Sequence, residues 1–260
     1  MNAPPAERFA CLELRGGNHH AVYSAELPGL EAWVSCRPLQ PAAKGGDLYY
    51  LSVCSTGSIS RVAIADVAGH GEIVSAASAR LRDALRTHAD HWDQSLLIRN
   101  LNDTFLNGTD YATVFLISYY GQTGELLFTN AGHPPPLWYH AATGEWTLLH
   151  DTTPWSREIT DLPLGLIPGT SYTQTGAQLE QGDLMLLYTD GVTESADAAG
   201  EQLGLKRLLQ LAHSLPTSSP SEAGAALLQA VEGYRGGPSL ADDETVVALR
   251  RAAPDGVQNA

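Results

Sequence analysis

The chain is 260 residues long, 43% hydrophobic and 17% charged, enough for one substantial core and too little for two independent ones. Its 15 Lys and Arg against 29 Asp and Glu give a formal net charge of −14, which repels a polyphosphate duplex and argues against a nucleic-acid partner. No apolar run approaches the roughly 20 residues of a membrane helix, and the opening residues lack the basic-then-apolar order of a secretory signal. Cys11, Cys36 and Cys54 have the spacing of neither a disulfide framework nor a zinc site. A cytoplasmic protein without membrane contact is expected.

In chain order, residues 1–25 carry little periodicity and read as a leader with room for one added strand. LEAWVSC (30–36), LYYLSVC (48–54) and SRVAIAD (60–66) are rich in β-branched and aromatic residues and are bounded by turn formers, so they read as strands. STGSIS between the second and third supplies hairpin chemistry and makes them antiparallel neighbours. After GHG the period changes. Residues 72–91 place Ile73, Ala76, Ala77, Leu81 and Leu85 at helical spacing, and 93–108 repeat the pattern with Leu96, Ile98, Leu101 and Phe105. Asp93 is the expected N-cap of this second helix and Gly108 its stop.

Strands return with ATVFLISYY (112–120), a QTGE turn, LLFTNAG, PPLWYH and EWTLLH. Residues 150–170 are less ordered. TQTGAQL and GDLMLLYTD read as two more strands, helices follow over 201–214 and 220–234, and DETVVALRR is the last strand. Some ten strands exceed one comfortable open sheet. Strands in runs and helices in pairs therefore predict an α+β fold in which two antiparallel sheets pack face to face with helices outside. The boundaries are a leader at 1–25, one domain at 26–252 and a tail at 253–260.

Aspartates recur where an apolar strand meets a turn: Asp47 after two glycines, Asp66 at the end of SRVAIA, Asp190 before Gly191, and Asp242 with Asp243 before ETVVAL. Each alone is an ordinary turn residue. In an antiparallel pair, however, the start of one strand lies beside the end of its neighbour. The hairpin above thus brings Asp47 and Asp66 to one rim, and the same holds for Asp190 and Asp242 or Asp243 if their strands pair. Carboxylates gathered at a partly desolvated rim with no nearby Lys or Arg repel one another. Hard divalent cations, Mg²⁺ or Mn²⁺, resolve that conflict with oxygen ligands.

GGD (45–47), IADVAGHG (64–71), TNAGHPPPLWY (129–139), LPLGL (162–166), GDLMLLYTDGVTES (182–195), GLKRL (204–208) and DDETVVAL (242–249) stand in the order found in metal-dependent protein phosphatases of the PPM/PP2C group. Over residues 30–251 the chain resembles their bacterial SpoIIE/RsbU-type branch. The resemblance implies a four-layer αββα sandwich with two Mn²⁺ or Mg²⁺ ions at one edge of the sheets. It also implies hydrolysis of phosphoserine or phosphothreonine by a metal-bridging water, with no phosphoenzyme. Asp66 then corresponds to the carboxylate bridging both ions, the backbone carbonyl of Val67 to a ligand of one of them, and Asp47 to a ligand beside it. Asp190 and Asp242, or Asp243 in its place, correspond to ligands on the other side. The implied substrate is a phosphorylated protein, such as a STAS-type anti-anti-sigma factor in a partner-switching circuit.

Two departures stand out. Related sequences often read GGDYYD, and the second aspartate is here Tyr50. Eukaryotic relatives carry a histidine two residues after the bridging aspartate, where this chain has Ala68. His70 is a candidate general acid, with a metal-bound water as the alternative donor and a helix-start residue held by the turn as its plainer reading; His133 reads as a hairpin residue that faces the site only in a second reading, and Glu194 orients Asp190 or caps its loop. With no room for a kinase, receiver or sensor segment in the first 30 residues, regulation is expected from a separate chain, oligomerisation or metal occupancy. Two rival functions remain: a phosphatase fold without turnover that binds a phosphoprotein, for which Tyr50 is the motive, and a hydrolase of small phosphate esters.

Overall fold

The computed structural model describes residues 6–68, 72–87, 93–106, 110–149 and 161–252. Its elements begin with strands β1 (Glu7–Arg8), β2 (Leu14–His19), β3 (Ala21–Leu27), β4 (Leu30–Arg37), β5 (Lys44–Val53) and β6 (Ile59–Val67). Helices α1 (Glu72–Thr87) and α2 (Gln94–Leu106) follow, then β7 (Ala112–Tyr120), β8 (Glu125–Ala131), β9 (Leu137–His140), β10 (Glu145–Leu148), β11 (Thr175–Gln178) and β12 (Leu184–Tyr188). The short α3 (Asp190–Thr193), then α4 (Gly204–Ala212), α5 (Pro220–Arg235) and β13 (Glu244–Arg251) complete the described chain.

The strands form a seven-stranded sheet, β1-β3-β4-β13-β12-β9-β10, and a six-stranded sheet, β11-β8-β7-β6-β5-β2. Among the described strands the pairings are antiparallel except that of β1 with β3. Between the sheets lies a core that includes Val34, Leu51, Val62, Ile64, Phe115, Ile117, Leu187 and Val247. The outer face of the six-stranded sheet packs Ala63, Ala65, Leu116 and Tyr50 against Leu81 and Leu85 of α1 and Leu97, Ile98 and Leu101 of α2. On the outer face of the other sheet, Trp33, Leu186, Tyr188 and Val246 meet Leu208 of α4 and Leu227 and Val231 of α5. This is the expected four-layer αββα sandwich. Alternation along each strand puts successive residues into different layers, so one sequence stretch feeds two cores.

Helix ends follow local chemistry. Asp93 caps α2 as expected, its Oδ1 accepting the Leu96 amide at 2.9 Å. Ser219 accepts the Glu222 amide ahead of Pro220, and Gly236 closes α5 with φ +80°. Helix phase differs slightly from expectation. Leu97, rather than Leu96, joins Ile98, Leu101 and Phe105 on the buried face of α2, and Val74 is buried in α1 while Ala76 is exposed. Helix α4 is shorter than 201–214 because Leu203 donates to the Ser195 carbonyl and Gln202 bridges Ala196, which commits residues 201–203 to a turn. The N-terminal stretch contributes more than one added strand: β2 extends the six-stranded sheet beside β5, and β3 extends the other beside β4. Gly108, the expected stop of α2, lies outside the described residues.

Candidate metal centre

The β5–β6 hairpin fixes the first pair of carboxylates. Leu48 pairs with Ala65, so one further step sets Asp47 opposite Asp66. Leu48 and Ala65 belong to the core beneath the helices, so alternation turns both aspartates toward the space between the sheets. From the opposite sheet, β12 pairs with β13, Tyr188 facing Val246, which brings the end of β12 beside the start of β13. Asp190 and the Asp242-Asp243 pair accordingly stand just beyond the adjoining ends of neighbouring strands.

The two sheets are joined across the rim by hydrogen bonds in both directions. Asp243 accepts the backbone amides of Gly46 and Leu39, each at 2.6 Å. In return Asp47 Oδ2 accepts from Thr189 Oγ1 at 2.7 Å. Asp47 and Asp243 are both 2% exposed. Gly45 has no room for a side chain, since an added Cβ would collide with the Asp243 carboxylate. Ser78 of α1 donates to the Gly46 carbonyl at 2.6 Å, so the first helix also holds the strand that carries Asp47.

Electrostatics tie the acids into one group. Burial, and then Asp190, Asp242, Asp243 and Glu194, push the Asp66 carboxyl up to about 8. Burial, and then Glu194 and Asp242, raise Asp190 to about 6. Asp47 is held well above the ordinary carboxylate range by burial first and Asp66 second, against the hydrogen bond from Thr189. Among the described residues no ion pair reaches Asp47, Asp66 or Asp190. No group of three or more His, Cys, Asp or Glu side chains among them is placed to hold an ion. The donor set nevertheless fits hard divalent cations: it is oxygen only, partly desolvated, and destabilised by its own negative charge.

The remaining candidates separate by position. Val67, whose carbonyl is a candidate ligand, is buried as the last residue of β6. His70 lies outside the described residues. Tyr50 is fully buried beneath the helices, on the face of β5 opposite to Asp47, so a carboxylate there would not meet the rim. His133 is 4% exposed; its Nδ1 lies 2.8 Å from the Oγ1 of Thr113, and its amide is held by Asn130 at 2.7 Å. Thr113 pairs with Asp66 across the ladder, so His133 is both the expected hairpin residue and a neighbour of the site. Burial pushes its imidazole down to about 3. Glu194 is exposed and acts on Asp190 through charge. Sequence reasoning missed Thr189, Ser78 and the buried cluster behind Asp242, where Glu244 pairs with Arg37 and Arg235. A threonine before TDG's aspartate resembles any helix cap, and nothing local signals an ion pair between residues 207 positions apart.

Paired antiparallel sheets between helix layers, with carboxylates from both sheets at one rim, define the class as a PP2C-type phosphatase fold. The family model described as "Stage II sporulation protein E (SpoIIE)" matches residues 57–252, and the chain belongs to that family. It is 29% identical over 207 residues to the "Phosphoserine phosphatase RsbU" of Bacillus subtilis (strain 168), covering 76% of this chain and 58% of that protein. The chain thus spans little more than half the length of that relative. Among solved structures it resembles the RsbU and RsbW domains of Rv1364c from Mycobacterium tuberculosis, with a TM-score of 0.74, 24% identity and coverage of 88% of this chain and 62% of that one. RsbX in complex with magnesium superimposes with a TM-score of 0.65 at 16% identity over 89% of this chain and 100% of that one. The catalytic domain of the serine/threonine phosphatase PstP, in complex with two manganese ions, gives 0.56 at 18% identity over 85% and 97%. At such identities these structures show the shared fold.

Proposed function

We propose that this chain is a divalent-metal-dependent protein phosphatase acting on phosphoserine or phosphothreonine in a partner-switching circuit, with a STAS-type anti-anti-sigma factor as its kind of substrate. The observation that carries the reading is the gathering of Asp47 and Asp66 from one sheet and Asp190 and Asp242 from the other, close enough to raise one another's proton affinity. Mutual repulsion of this kind stabilises nothing by itself. It is the signature of a site arranged for positive charge.

Asp47, Asp66, the Val67 carbonyl, Asp190 and Asp242 would hold the divalent ions. Asp242 suits this role better than Asp243, whose two oxygens are engaged by backbone amides. When bound, Mn²⁺ or Mg²⁺ would supply charge to a phosphoryl oxygen and lower the proton affinity of a water molecule. The chain's own contribution is to orient the carboxylates and keep the inner side of the rim dry. His70 is the proposed proton donor to the leaving group. Support for a phosphoprotein substrate comes from the likeness to RsbU, a phosphoserine phosphatase. Tyr50, the motive for a module without turnover, lies on the opposite face of its strand from the rim, which removes that motive.

The test is hydrolysis of a phosphoserine peptide and of p-nitrophenyl phosphate with Mn²⁺ and with chelator, in the native chain and in Asp66→Asn and Asp190→Asn. We expect metal-dependent turnover of the peptide and a loss of about a hundredfold or more in either variant, the scale of several kcal/mol of lost charge stabilisation. Turnover without metal, or full activity in Asp66→Asn, would overturn the reading, and a strong preference for the small ester would move the substrate class.

A further inference from the structure

Thr189 follows β12, immediately before Asp190, and occupies the N-cap position of α3. A threonine there ordinarily turns its hydroxyl back to accept an amide of the first helical turn. Thr189 makes no such bond. Its Oγ1 instead accepts the Thr245 amide at 3.0 Å and donates to Asp47 Oδ2 at 2.7 Å, across the space between the sheets. A hydroxyl has a single proton. With the Thr245 amide anchored on one of its lone pairs, the direction of that proton is set by the β12–β13 ladder, whose backbone also bonds Thr189 N to Thr245 O at 3.1 Å. Thr189 and Thr245 are both wholly buried, so water has no access to replace the bond.

We propose that Thr189 is a positioning residue for the metal centre: its hydroxyl fixes one oxygen of Asp47, leaves the other for the rim shared with Asp66, and couples that carboxylate to the turn after β12 where Asp190 opens α3. This rests on the metal-site reading above. The neighbouring bond from the Gly46 amide to Asp243 joins the same two sheets independently of Thr189. Loss of the hydroxyl therefore removes its bond to Asp47 while the sheets stay joined; it also takes the side-chain acceptor from the Thr245 amide, a stability cost that the metal-free melts read separately from Mn²⁺ affinity.

The experiment is calorimetric titration of the substrate-free chain with Mn²⁺, in the native protein and in Thr189→Val, Thr189→Ala and Thr189→Ser, alongside metal-free thermal melts and the Mn²⁺ dependence of peptide turnover. Thr189→Val keeps the shape and removes the hydroxyl; should it fail to fold, Thr189→Ala makes the same comparison. We expect the hydroxyl-free variants to bind Mn²⁺ about tenfold or more weakly, the scale of a lost hydrogen bond to a charged group. Thr189→Ser should bind within about twofold of the native chain, on the same scale. Half-saturating Mn²⁺ for turnover should rise in step while KM for the peptide stays unchanged. Native Mn²⁺ affinity in folded Thr189→Val, with uptake lost in Asp66→Asn, would overturn the role of Thr189 and leave the metal reading standing. A native chain that takes up no Mn²⁺ would overturn both.

Discussion

Asp66 sits where burial and neighbouring carboxylates act in the same direction, and its raised carboxyl, at about 8, makes a statement about stability. A carboxyl bound more tightly to its proton in the folded than in the unfolded chain, whose ordinary value is 3.8, gives a folded state that carries more protons in the window between the two values. Stability of the metal-free chain therefore falls as pH rises through that window. Above pH 6.5 the low value of His133 leaves its imidazole neutral in the fold and largely neutral in the unfolded chain, so the acids dominate. We expect the melting temperature of the metal-free protein to drop between pH 6.5 and 8, Mn²⁺ to restore it at pH 8, and Asp66→Asn to flatten the pH response and abolish the Mn²⁺ effect. A flat native profile would show that the repulsion is absent. The acids were legible because each stands where an apolar run meets a turn. Thr189 was not, nor was the part Asp243 plays in joining the sheets, since the bonds involved run between sheets from residues more than 140 positions apart.

Helix α2 is registered on its sheet by a polar contact as much as by its apolar stripe. Gln94 is fully buried; its amide nitrogen donates to Ser118 Oγ at 2.8 Å and to the Leu127 carbonyl at 3.1 Å, and its oxygen accepts from Thr129 at 3.1 Å. This glutamine sits at the first helical position, next to the Asp93 cap, and explains why Leu97 rather than Leu96 turns inward. Two adjacent leucines fit a helical period equally well, so the sequence offers no way to choose between them. Gln94→Ala leaves the Leu127 carbonyl and two hydroxyls short of a partner and should cost about 1–3 kcal/mol. Urea unfolding should show this as a lower midpoint at unchanged slope. A midpoint equal to the native one would mean that apolar packing alone sets the helix. The hairpins β5–β6 and β7–β8 were the most legible elements, because turn chemistry and strand alternation agree there. Strands β2 and β3 were hidden by Gly-Gly and His-His, which interrupt the alternation that identifies a strand.

At the scale of the whole molecule, the site exists only because two sheets from distant parts of the chain face each other. β13 inserts between β4 and β12, and that placement, not any local signal, brings Asp242 beside Asp190. The layer order was legible from strands in runs and helices in pairs. The pairing of β12 with β13 was not, because it joins strands separated by three helices. No described helix is long and apolar enough to cross a membrane, and the net charge of −14 leaves the chain with carboxylates in excess of what its own cations can neutralise. The most direct test of the central claim is anomalous diffraction from a Mn²⁺-soaked crystal of the native chain. The account expects strong peaks at the rim within coordination distance of the Asp66 carboxylate, with Asp190 and Asp242 among the ligands. Manganese bound only elsewhere, with the rim acids left without an ion at saturating concentration, would contradict it.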